Sequence, residues 1–174
     1  MQYQNVLQFL SKTFWYCINL CSVSHYIPLT GSQYYILAFR GSVGSILGSS
    51  RRTIPASERF YESTENSLRG YRYLTVSPLN EHHKPLGGRS LLSFTTELRI
   101  RATENFGWVV FHDLGNVYEA VIPQVDHKVY HSVGCGLRYY TPVGPLRFDI
   151  AFPLTPRPHL DHKFQIYLSI GQAF

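Results

Sequence analysis

Residues Lys163–Phe174 read KFQIYLSIGQAF and carry the cleanest period in the chain. Phe164, Ile166, Leu168, Ile170 and Phe174 fall on one parity, and Lys163, Gln165, Tyr167, Ser169 and Gly171 on the other. A period of two with one oily side is a β-strand. Working back from it, PLRFDIAFPL (Pro145–Leu154) sets Leu146, Phe148, Ile150 and Phe152 against Arg147, Asp149 and Ala151. SLLSFTTELRIRA (Ser90–Ala102) sets Leu92, Phe94, Leu98 and Ile100 against Ser93, Thr95, Glu97, Arg99 and Arg101. In YHSVGCGLRYYT (Tyr130–Thr141), Val133, Cys135, Leu137 and Tyr139 oppose Gly134, Gly136 and Arg138. Charge and small residues keep to one side throughout. GWVVFHDLGNVY (Gly107–Tyr118) is less clean, because both parities hold apolar residues, and QYYILAFRGSVGSILG (Gln33–Gly48) is a strand with Arg40 on its polar side. A first strand, the weakest in pattern, is placed at about Phe14 to Leu29.

The composition agrees with sheet. The chain has 174 residues, with 13 Tyr and 11 Phe but a single Met, and only 16% charged residues where about 25% is usual. No apolar run reaches the roughly 18 residues of a spanning helix. That leaves membrane strands open, because alternation averages their hydropathy out. The net charge of +5 comes from scattered residues, with only Arg51 and Arg52 clustered, so no nucleic-acid partner is expected. Cys17, Cys21 and Cys135 show no metal-type spacing. The N-terminal stretch lacks a basic leader, and Lys12 and Asn19 interrupt its apolar run, so no export signal is visible.

Connection lengths alternate. They are short at Thr30–Ser32, Thr103–Phe106 and Pro142–Pro145, and long at about Gly48 to Gly87, Glu119–Lys128 and the stretch TPRPHLDH. Tight turns at one end and long loops at the other, joining strands of about 9–11 residues, are the plan of an antiparallel up-and-down transmembrane β-barrel. A soluble β-sandwich also alternates and is the competing fold. Ending on Phe174, on the same side as Leu168 and Ile170, is expected of a closing strand.

Four segments then fall in order: PASERFYESTENSLRGYRY, GGRSLLSFTTELRI, GWVVFHDLGNVY, and GLRYYTPVGPLRFDIAFPL with the terminal Phe. This series resembles the C-terminal barrel half of the BamA/TamA outer-membrane assembly-factor family, also called the bacterial surface antigen family, and is closest to its TamA branch. The resemblance covers about Tyr35 to Phe174 in register. It implies one partial barrel domain over residues 1–174, about seven strands of a sixteen-stranded barrel, with the periplasmic repeat domains of the family absent. The chain is accordingly expected to be a fragment of a longer protein or a split product.

In that family a long loop with an Arg-Gly-aromatic core folds into the lumen, and its arginine meets acids on the following strands. The resemblance implies that Arg69, Gly70 and Tyr71 form the loop core and that Glu97 and Asp113 are its acids. The parity of β-structure agrees for Glu97. A planar guanidinium suits this place because it can grip carboxylates through two parallel hydrogen bonds, which lysine cannot. Gly70 permits a turn or a close approach to the wall. Where family members carry a glycine pair before the motif, this chain has Glu62, Ser63 and Thr64. Arg138, Arg147 and Asp149 fall on the polar parity of neighbouring strands and are expected to line the lumen.

The implied role is insertion or translocation of outer-membrane proteins from the bacterial outer membrane, with no cofactor and no enzymatic step. The implied partners are the lipid bilayer, client proteins, and an inner-membrane-anchored subunit or the missing barrel half. Alternatives are a passive pore or surface antigen, and the barrel remnant of a secreted enzyme. Other chemistry is thinly represented. His159, Asp161 and His162, and the pair His82–His83, lie in expected loops without a second ligand set, so no metal site is assigned. Gly41, Gly44 and Gly48 lack the lysine of a phosphate loop. His131 and Ser132 are adjacent in one strand and face opposite sides, which rules out a nucleophile–base pair.

Overall fold

The computed structural model describes residues 2–9, 16–29, 34–124, 128–142 and 144–171. Phe14, the Thr30–Ser32 turn and Phe174 lie outside the described residues. The strands are β1 (Gln2–Phe9), β2 (Cys17–Pro28), β3 (Tyr35–Leu47), β4 (Ser90–Arg101), β5 (Phe106–Tyr118), β6 (Tyr130–Thr141), β7 (Gly144–Pro153) and β8 (Gln165–Ile170). They form one antiparallel sheet of eight strands in sequence order, each paired with its chain neighbours. The seven strands read from the sequence are β2 to β8, and β1 adds one more. Among the described residues no helix is long and apolar enough to cross a membrane.

The final strand is shorter than its pattern. It begins at Gln165 rather than Lys163 and stops at Ile170, where Gly171 takes φ +105 and its N–H turns to the carbonyl of Pro145 at 2.8 Å. Short connections join β4 to β5 and β6 to β7, whereas residues 48–89, 119–129 and 154–164 link strands at the opposite end.

Pleating sends successive side chains to opposite faces, and the two faces differ in an order opposite to that of a water-soluble protein. Leu168 is 79% exposed and Ile170 72%, while Glu97 and Asp113 are wholly buried. The exposed face carries Val43, Phe94, Trp108, Val110, Val133, Leu137, Phe148, Phe152 and Ile166. The covered face carries Ser42, Ser93, Thr95, Glu97, Asp113, Ser132, Arg138, Arg147 and Asp149. A β-sandwich would bury the first set and wet the second. A barrel wall in lipid does the reverse, with an apolar band outside and a polar lumen inside.

The mixed pattern of β5 has a long-range cause. Val109 and Phe111 face inward and pack with Ala151 and Tyr167, because the long loop lays an arginine over the Phe111 ring. The loop, residues 48–89, contains no strand and only a single 3-10 turn at Ala56–Glu58. It nonetheless buries Ile54, Leu68, Tyr71 and Val76 against the inner face of the sheet.

Candidate functional site: a buried charge cluster under the long loop

Arg69 sits on the loop between Leu68, at φ +42, and Gly70, at φ +99. Left-handed residues on either side of Arg69 turn the backbone sharply there, and its guanidinium projects toward the wall. The Arg69 Nε donates to Asp113 Oδ2 at 2.8 Å and Nη2 to Oδ1 at 3.0 Å, forming a fork on one carboxylate. The backbone N–H of Arg69 donates to the same Oδ2 at 3.1 Å. Nη1 lies 3.0 Å from Glu97 Oε1 and 3.3 Å from Asp149 Oδ2. The contact with Glu97 Oε1 is an ion pair without hydrogen-bond alignment, since that oxygen has no hydrogen-bond partner. Beneath the group, the Phe111 ring centroid is 3.4 Å from Arg69 Cζ, a cation–π contact in a desolvated setting.

The cluster extends across four strands, β4 to β7. Arg138 on β6 binds Asp149 through both terminal nitrogens, and Arg147 Nη2 reaches Asp149 Oδ2 at 3.2 Å. Arg99 holds Glu97 at 2.9 Å. Arg147 also grips the loop, donating to Asn66 Oδ1 at 3.0 Å and to the carbonyl of Glu65 at 3.1 Å. Four guanidinium groups thus share three carboxylates, with Arg69 at the centre. Burial alone would lower the pKa of Arg69, but Asp113, then Glu97 and Asp149, outweigh it and hold the group charged.

Packing around the loop core is close. The N–H of Gly70 donates to Tyr167 Oη at 2.8 Å, and a β-carbon there would come within 3.2 Å of Pro153 N and of Ser132 Cβ. Tyr71 Oη donates to the carbonyl of His131 at 2.6 Å and lies 2.9 Å from Thr155 Oγ1. Its ring meets Tyr130 edge-on at 5.4 Å. Glu62 is buried beside the cluster and accepts from Ser67 Oγ. Burial pushes its carboxyl up to about 7, against hydrogen bonds from Ser67, the Ser63 backbone and Ser93, and the nearby Asp113 charge pushes the same way.

The family resemblance implies a pairing of Arg69 with Glu97 and Asp113; in the structure both lie within ion-pair distance of Arg69, with Asp149 as a third acid. Arg138 and Arg147 lie on Asp149 rather than on solvent. Leu168 and Ile170 lie on the exposed face, apart from this cluster. Phe111 and Tyr167 escaped the sequence pattern, although Tyr167 already stood on the polar parity of its strand. Gly136 also escaped it: a β-carbon there would lie 1.8 Å from Asp149 Oδ1, so only glycine leaves room for the Arg138–Asp149 pair. Ser63 adopts φ +79 in the place where a glycine pair was expected, and its Oγ donates to the carbonyl of Tyr71 at 2.8 Å.

The histidine motifs do different work. Asp161 is gripped by Arg157, at 2.7 Å from both Nε and Nη2, and Arg157 also donates to the Thr75 carbonyl at 2.6 Å. In Asp161, burial alone would raise the pKa, but the Arg157 hydrogen bonds and charge lower it. His82 and Lys84 turn their backbone N–H groups onto Asn80 Oδ1. Among the described residues no group of three or more His, Cys, Asp or Glu side chains is arranged to hold a metal ion. Ser132 points inward and His131 outward, as their adjacency in β6 requires.

Comparison with known proteins places this geometry. The family model described as the Omp85 superfamily domain matches residues 2–174. The outer membrane protein assembly factor BamA of Nitratidesulfovibrio vulgaris is 30% identical over 145 residues, covering 80% of this chain and 18% of that protein. The crystal structure of BamA from Haemophilus ducreyi lacking POTRA domains 1-3 is similar with a TM-score of 0.70 at 22% identity, over 87% of this chain and 34% of that one. At that identity the structural likeness is one of fold. The chain spans about a fifth of the length of the curated relative it matches.

Proposed function

The chain belongs to the Omp85 superfamily of outer-membrane β-barrel proteins, and from that premise we propose that it forms the loop-braced wall of a barrel that assembles or translocates other outer-membrane proteins. The single observation that supports this most is the Arg69 guanidinium, held by Asp113, Glu97 and Asp149 in a dry cluster between loop and wall. Such a brace fixes where the loop sits in the lumen. An unbraced loop would leave Asp113 buried without a cation, while Glu97 keeps Arg99 and Asp149 keeps Arg138 and Arg147, so docking and wall integrity depend on each other.

In this proposal Arg69, Gly70 and Tyr71 are positioning residues, and Glu97, Asp113, Arg138, Arg147 and Asp149 form their receptor. The work on a client is non-covalent. It consists of strand and lipid rearrangement at the barrel wall, with unfolded outer-membrane proteins as clients. An inner-membrane-anchored subunit, or a further barrel segment completing the wall, is the implied companion. The ordered sequence motifs resemble the TamA branch most.

Proteoliposomes containing the protein in its full-length context test the proposal. Expected is faster appearance of folded, protease-resistant client barrels than in empty liposomes, with the gain lost in Arg69→Ala. Ion conductance without any gain in client folding would instead establish a passive pore.

A further inference from the structure

His112 and His131 sit on the outer face of the sheet, away from the charge cluster. His112 is on the outward parity of β5 with Trp108 and Val110, and His131 on that of β6 with Val133 and Leu137. Their strands pair so that Leu114 stands opposite His131 and Val133 opposite His112, which makes the two imidazoles diagonal neighbours. His131 Nδ1 lies 3.4 Å from His112 Nε2, and the ring centroids are 5.5 Å apart with 22° between planes.

That separation is long for a hydrogen bond between ring nitrogens. It is the separation expected of two nitrogens bound to one tetrahedral ion: zinc–nitrogen bonds of about 2.0–2.1 Å at a tetrahedral angle put the nitrogens about 3.3 Å apart. We propose that His112 and His131 form a two-imidazole site for a divalent transition ion, such as zinc, nickel or copper, on the lipid-facing side of the wall. Imidazole pairs favour such ions, whereas calcium and magnesium prefer oxygen.

The position suits an incomplete protein ligand set. His112 lies in one cross-strand row with Val133 and Phe152. Phe152 packs with Phe164 at 6.3 Å, and both rings are about half exposed. Aromatic residues at strand ends mark the membrane interface, where water or a headgroup phosphate supplies the remaining ligands. The backbone at His131 is pinned, because its carbonyl accepts from Tyr71 Oη at 2.6 Å and from the Leu154 N–H at 2.8 Å. The backbone that carries one imidazole is therefore fixed independently of any metal.

The test uses the full chain folded in detergent micelles and titrated with zinc, with copper and its electron paramagnetic resonance spectrum as a second probe. Expected is one site whose affinity falls at least about tenfold in His112→Asn and again in His131→Asn, with His82→Asn/His83→Asn unchanged, as removal of a nitrogen ligand requires. Equal affinity in the His112/His131 double variant overturns the site. A measurement on the unaltered chain guards against misfolding of the variants. Zinc should protect His112 and His131, and not His82 or His159, from acylation by diethylpyrocarbonate; acylation of both at the zinc-free rate overturns the proposal.

Discussion

The long loop is held at its base and at its core by different physics. At the base, Ile54 packs with Tyr16 and Ile46, with Ile18 and Phe60 against them. Phe60 fills the space above Gly44, where a β-carbon would lie 2.6 Å from its ring. At the core, charge replaces oil: Arg69 meets three carboxylates and an aromatic face. Apolar contacts are nondirectional and lose energy in proportion to the atoms removed. A buried ion cluster loses far more when one member goes, because its partners stay buried without compensation. The base therefore anchors by degrees, and the core behaves as a latch.

The change that most severely breaks this contrast is Arg69→Ala. It is expected to cost about 3–5 kcal/mol of loop docking, the range for breaking a buried pair. Heat-modifiable gel mobility and protease cleavage within residues 60–80 would both report it. Arg69→Lys keeps the charge but loses the fork on Asp113, so it should rescue only in part.

Next in size, Gly136→Ala attacks the same latch from the wall. Its methyl would occupy the place of Asp149 Oδ1 and force that carboxylate off Arg138 and Arg69. A loss of about 2–3 kcal/mol is expected, measured as a lowered melting temperature in detergent. Gly41→Ala is the control, since its nearest neighbour, Phe94 Cδ2, would be 3.7 Å away.

Glu62 makes the contrast depend on pH. Its carboxyl stands at about 7 in the docked loop against an ordinary 4.5, so the docked state keeps a proton that the undocked state releases between those values. The Glu62 contribution to docking is then full below about 4.5 and is lost as pH rises toward 7, by on the order of 3 kcal/mol at most, with no further loss above. Loop protection measured from pH 4 to 8 should show this slope, and Glu62→Gln should flatten it. An unchanged slope in the variant would assign the dependence to another group.

The smallest effect belongs to the base. Ile54→Val removes one methylene from the packed cluster and should cost about 1 kcal/mol, with loop protection otherwise intact. A loss as large as that of Arg69→Ala would erase the distinction between an anchor and a latch.

The strands and their faces were legible in the order of residues alone. Alternation in β4, β6, β7 and β8 needs no tertiary knowledge, because the pleat alone sorts Leu146 from Arg147 and Leu168 from Tyr167. The order of short and long connections determined the antiparallel meander in the same local way. In β5 the alternation was blurred, since Val109 and Phe111 are apolar on the inward side, and the cause is Arg69, about 40 residues earlier in the chain. Arg69 itself was legible through the ordered motifs, as were Glu97 and Asp113.

The remaining contacts depend on the folded chain. It brought Asp149 to Arg69 across 80 residues of sequence, gave Gly70 the hydroxyl of Tyr167 across 97, and showed that Gly136 must lack a side chain. It also turned the carboxylate of Asp161 to Arg157 and set His112 beside His131 on the outer face. A local period records which face a residue occupies. Which residues on that face meet depends on register and on where a long loop comes to rest, and neither is written in neighbouring residues.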